Sequence, residues 1–154
     1  MKNDDRKTML RAAIAAVRDC ADTMETQAAG LLAALPTVAI REELRASALD
    51  LSAGLKDAAG RVTFELALLQ TEIGQDKADV TTTVKRLSAM DAAMMSAVAA
   101  LADVVDQLEK AAEHDEQTEP AFVLVIEATG VMLQGIEKAK TATQALGAAV
   151  PVDR

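Results

Sequence analysis

Leu10, Ile14, Val17, Ala21, Met24, Ala28, Leu31 and Leu35 follow one another at alternating intervals of four and three. An apolar residue every 3.5 positions, kept up over more than three heptads, is the period of a helix packed lengthwise on other helices. A strand alternates its side chains with a period of two and cannot bury such a row on one face. This seam therefore commits the first part of the chain to a long helix with helical neighbours. Asp4 and Asp5 suit the positive end of its dipole. Pro36 stops it, and Thr37 is placed to cap the next helix.

The pattern recurs. Leu44, Ala48, Leu51, Leu55, Ala59, Val62, Leu66, Leu69 and Ile73 form a second seam. Its extra interval of four, at Leu55–Ala59, is a stutter that locally unwinds a supercoil. Gly54 and Gly60 flank it and suggest a slight bend. Gln75–Asp79 reads as a turn. The third seam is Val80, Val84, Leu87, Asp91, Met94, Val98, Leu101, Val105 and Leu108, with a carboxylate in one apolar slot. Thr118, Glu119 and Pro120 mark a fourth helix start, since proline is tolerated in a first turn. The fourth seam is Phe122, Ile126, Thr129, Leu133, Ile136, Ala139, Thr143 and Leu146. Gly147 is the candidate C-cap, with Pro151 beyond it. Residues 121–126 (AFVLVI) resemble a buried strand, but a lone strand has no partner here.

The expected fold is all-α. Helices over about 4–35, 38–74, 78–114 and 120–147 form an up-down-up-down antiparallel four-helix bundle in one domain over 1–154, with a flexible tail at 148–154. Short turns make successive helices antiparallel. The alternative is a pair of long hairpins completed by a second chain. Composition agrees: the 154 residues include 33 Ala and 17 Leu, two Phe, and neither Trp nor Tyr. A sandwich or barrel would need frequent turn residues and aromatic or β-branched strands. One cysteine cannot form an internal disulfide.

Charge narrows the function. The net charge is −8, and no aromatics are interleaved to stack bases, so a nucleic-acid partner is not expected. Residues 103–119 hold seven acidic residues against Lys110 alone, so most of the excess lies at one end of the bundle. Two aspartates near the N-terminus do not fit a signal peptide. The longest charge-free run, Thr26–Ile40, is 15 residues, short of the roughly 20 that span a bilayer. The expectation is a cytoplasmic protein without a transmembrane segment, and with a reduced Cys20.

No set of residues spells out a reaction, so the protein is expected not to be an enzyme. The single histidine, His114, excludes a di-iron bundle, which needs a Glu-x-x-His on each of two helices. It also excludes a Cys/His zinc site. Phosphoryl transfer at His114 would meet like charge from its neighbours. The seven glycines fit no phosphate loop. No cofactor is expected. Cys20, Met24 and Met94 are the soft-ligand candidates for Cu(I) or haem, although methionine also fills gaps in an aromatic-poor core.

Three surfaces or positions stand out. Asp115, Glu116 and Glu119, beside His114, make an acidic docking candidate for a basic partner, or simply a solvated turn. Asp91 in its apolar slot must be paired, neutral or at the seam's edge. The edge reading gives the slot to Met90 and turns Asp91 toward water. Phe122, Val123, Leu124, Val125, Val131 and Met132 make the fourth helix apolar beyond one stripe, and are interface candidates.

The expected function is therefore non-catalytic protein–protein interaction as a scaffold, adaptor or regulatory partner, with self-association into a homo-oligomer. A second class is an amphipathic bundle that binds peripherally to a lipid or hydrophobic granule surface, against which its acidity counts. A third is a small-ligand or soft-metal sensor with a core pocket near Thr129 and Asp91. Fold analogy separates none of these.

Overall fold

Every residue of the first seam is buried, from Leu10 to Leu35. Ala13 and Cys20 are buried beside it, so the helix presents a face wider than a strict coiled-coil row. The computed structural model describes residues 3–75 and 79–149. Its elements are α1 (Asn3–Ala34), α2 (Glu42–Gly74), α3 (Val80–Ala99), α4 (Ala102–His114) and α5 (Glu119–Ala149). Short 3₁₀ turns lie at Leu35–Thr37 and Glu116–Thr118. Helix α1, at 32 residues, is about 48 Å long.

The chain forms an antiparallel four-helix bundle. Helix α1 lies between α2 and α5, and the α3–α4 arm closes the square between the same two neighbours. Seam alanines Ala21, Ala28, Ala59 and Ala139 are fully enclosed. Their short side chains let the helix axes approach closely, which suits a core without Trp or Tyr.

The first connection differs from expectation. Thr37 does not cap α2; its hydroxyl donates back to Ala34 O at 2.8 Å. Helix α2 starts later, after Arg41, without a side-chain cap. Glu42 and Glu43 in its first turn complement the dipole instead. Arg45 secures the connection by donating to Leu35 O at 3.3 Å and Val38 O at 2.8 Å.

The second seam shifts at one point. Ser52, not Leu51, takes the core slot, so the double interval of four falls over Leu44–Ala48–Ser52. Ser52 is small and satisfies its hydroxyl by donating to Ala48 O at 2.7 Å. Helix α2 runs unbroken past Gly54 and Gly60, and a Cβ at either would meet open space. Gly54→Ala with Gly60→Ala should therefore raise stability by about 0.5–1 kcal/mol each. A chemical-denaturation midpoint checks this, and a lower midpoint would contradict it.

The third helix is not continuous. It breaks at Ala100–Leu101, where Leu101 N–H donates to Val98 O at 3.0 Å in a tightened turn. The core residues there are Val98, Leu101 and Val104, three apart, in place of the expected Val105. Two intervals of three overwind a helix, and the tightened turn absorbs the overwinding. Asp79 caps α3, accepting from Thr82 N–H at 3.3 Å and Thr82 Oγ1 at 3.1 Å. Residues 76–78 of the expected turn lie outside the described residues.

The largest correction concerns α5. Its core face is Ala121, Val125, Ala128, Met132, Ile136, Ala139, Thr143 and Leu146. The expected seam is right from Ile136 onward and one position out before it. Phe122 and Thr129 are half-buried, while Ile126 and Leu133 are exposed. Small Ala121 and Ala128 face inward, where close helix approach leaves no room for larger side chains. Gly147 does not end the helix, which continues to Ala149. Of the expected tail, 150–154 lie outside the described residues.

Candidate functional site

Asp91 is buried at 4% exposure, and Met90 beside it is buried too. The edge reading is thus overturned: the core face of α3 is wide enough to take both. Both Asp91 carboxylate oxygens are buried without a hydrogen-bond partner. Arg86, a turn and a half away, pairs with Glu72 of α2 instead. From α5, Thr143 and Lys140 sit close enough to favour the charged form. The Thr143 hydroxyl, however, donates to Ala139 O at 2.9 Å. Burial prevails over both and pushes the Asp91 carboxyl above its ordinary 3.8.

The raised value fixes a sign. An acid that holds its proton longer in the folded chain loses stability as pH rises from 3.8 toward its folded-state value. The titratable groups facing Asp91 are Cys20 of α1 and Lys140 of α5. Asp91→Asn removes the titration at nearly constant shape. Its melting temperature should match the wild type's below pH 3.8 and exceed it increasingly at higher pH. The expected reading is a gain in melting temperature that grows as pH rises above 3.8. Parallel pH profiles for the two proteins would contradict the assignment.

Cys20 lies across the core from Asp91. Burial first, and the Asp91 charge second, push its thiol up to about 12. It therefore keeps its proton at neutral pH, while a soft metal ion requires the thiolate. Its backbone and Sγ lie against Gly135 of α5, where an added Cβ would stand 3.6 Å from the sulfur. Met24 and Met94 are fully enclosed core residues. All three soft-ligand candidates lie within the buried core. Among the described residues, no group of three or more His, Cys, Asp or Glu is placed to hold a metal ion.

The acidic end is solvated. His114, Asp115, Glu116 and Glu119 are all exposed. Asp115 has a local structural task, accepting from Gln117 N–H at 3.0 Å to cap the Glu116–Thr118 turn. Nothing on this end converges on a cleft.

The interface candidates divide. Val125 and Met132 are wholly buried in the core, and Phe122 and Leu124 are half-buried against it. Val125 and Met132 present no free face. Val123 and Val131 are exposed at 39% and 42%. Ile126 and Leu133, assigned by periodicity to the core, join them at 41% and 39%. Val123, Ile126, Gly130 and Leu133 fall at intervals of three, four and three on α5, off its core face. This is a second heptad row, pointing outward. Between Glu119 and Glu137 only Glu127 is charged. The polar residues reveal this register: Glu127, Gln134, Lys138 and Thr141 share one side of α5, so the core lies opposite them.

Two other features complete the surface. Phe64 and Leu68 are exposed on α2, beside an open groove against α1 lined by Lys56, Arg61 and Glu65. Two helical stretches, Val80–His114 and Glu116–Ala149, have the length and mean hydropathy (1.5 and 1.3) to cross a membrane. Counting charge-free runs did not flag them, because each tolerates an isolated charge. Core helices of a bundle meet the same criterion, and both stretches bury a seam here.

No protein-family model, no curated protein and no solved structure matches the chain.

Proposed function

We propose that the protein is a non-catalytic helical bundle that works through protein–protein contact, pairing first with a second copy of itself along the outer face of α5. The observation that carries this reading is the outward row of Val123, Ile126, Gly130 and Leu133. Single exposed apolar residues are ordinary on any protein surface. A row at heptad spacing with a single charge beside it is what helix-on-helix association uses. Two-fold pairing of identical patches is the commonest oligomer geometry.

Charge favours the antiparallel arrangement. Parallel pairing sets the 115–119 turns of the two copies side by side. Antiparallel pairing centred on the row separates them by about 30 Å along the helices, beyond the roughly 8 Å over which salt leaves charges interacting.

Light scattering at rising concentration tests the reading. The expected result is a mass above 16.2 kDa, and a strict monomer overturns it. Flotation with neutral phosphatidylcholine vesicles separates the competing case. Retention in the soluble fraction agrees with pairing, whereas flotation as a monomer assigns the row to a lipid surface.

A further inference from the structure

The cleft of about 440 Å³ between α3 and α5 is unrelated to the outer face of α5. Its floor is Asp91 and Thr143, and its walls include Ser88, Met95, Ser96, Lys140 and Gln144. The floor residues are buried and the wall residues exposed. Exposed side chains reorient within nanoseconds, so the walls open without moving the helices.

Two opposite charges in this cleft lack partners. The Asp91 carboxylate has no hydrogen bond on either oxygen. Lys140 makes no ion pair among the described residues, with Asp91 or with any other acid. An isolated buried carboxylate is costly, and the nearby ammonium does not close on it. The remainder of the lining is Ser88, Ala92, Met95, Ser96, Thr143 and Gln144, among which Ala92 and Met95 offer apolar contact.

We propose that this cleft binds a small zwitterion of the amino-acid class with an apolar side chain. Its ammonium pairs with Asp91 and its carboxylate with Lys140, and its side chain lies against Met95 and Ala92. Such a ligand supplies both missing charges from adjacent atoms. It also replaces the lost hydration of Asp91 by charge-assisted hydrogen bonds. A simple cation satisfies Asp91 but is repelled by Lys140, and a simple anion has the converse problem.

Isothermal titration calorimetry on the full chain tests this with L-leucine as the zwitterion, n-butylammonium as the cation and isovalerate as the anion. Leucine is expected to bind, and each singly charged probe to bind at least about tenfold more weakly, the equivalent of 1.4 kcal/mol. Asp91→Asn and Lys140→Gln should each weaken leucine by a similar factor. Lys140 is exposed, so its variant keeps the test open even if the core variant misfolds. Absence of leucine heat with the wild type overturns the proposal, as does leucine affinity unchanged in Lys140→Gln. Light scattering without leucine is independent of these outcomes, so self-association stands or falls separately.

Discussion

Met132→Ala lowers the unfolding free energy by about 2–5 kcal/mol, whereas Leu133→Ala changes it by no more than about 0.5 kcal/mol. The two residues are adjacent, similar in size and equally apolar. They differ in direction: Met132 is fully enclosed, and Leu133 is 39% exposed. Truncating Met132 leaves a cavity among closely approaching helices that cannot collapse to fill it. Truncating Leu133 removes side-chain atoms that already meet water, at a helix position where alanine is well tolerated. In a chain of 154 residues the first change lowers the melting temperature by roughly 4–20 °C. Urea unfolding of both variants in dilute solution checks the register of α5. Equal losses, or the reverse order, would restore the seam expected from periodicity.

Ile126→Glu combined with Leu133→Glu should weaken the proposed self-association about a hundredfold and leave the fold intact. Both side chains lie on the outward row of α5, and glutamate is a good helix former at exposed positions. Helical circular dichroism and the urea midpoint of the dilute chain should therefore stay close to the wild type's. In a paired state the same carboxylates would be buried opposite apolar side chains, without partners. A penalty of about 3 kcal/mol weakens association by on the order of a hundredfold. The matching change on the exposed α2 surface, Phe64→Glu, should leave association unchanged. Phe64 lines the groove between α2 and α1, and α2 and α5 stand on opposite corners of the square.

Periodicity reads well where apolar and polar residues alternate cleanly around a helix. Every seam position of α1 is buried, because Arg11, Asp19, Asp22 and Glu25 mark the opposite side. Across 121–126 the apolar residues cover all sides, so the spacing admits two registers. The close approach of neighbouring helices then decides between them by placing Ala121 and Ala128 inside. That preference is visible only once the helices are packed. The break at Ala100–Leu101 is similarly hidden. It contains neither glycine nor proline, and it arises from the 98–101–104 spacing that the surrounding core imposes.

Asp91 was legible as an anomaly, since the seam count places it in a core slot. Its fate was not, because the nearest cations in sequence lie on other faces of the helix and spacing does not show which residues of other helices face it. Arg86 is drawn to Glu72 across the α2–α3 contact, and Lys140 stays exposed at the rim. The outward row on α5 is only partly legible: spacing leaves Val123 outside the seam, whereas Ile126 and Leu133 are absorbed into it by the misplaced register.

Sedimentation equilibrium of the wild type beside the Ile126→Glu, Leu133→Glu protein tests the interaction reading most directly. The prediction is a wild-type mass that rises above 16.2 kDa with concentration, and a variant that stays at the monomer mass throughout. Identical behaviour of the two proteins, whether both monomeric or both associated, would contradict the assignment of α5 as the working surface.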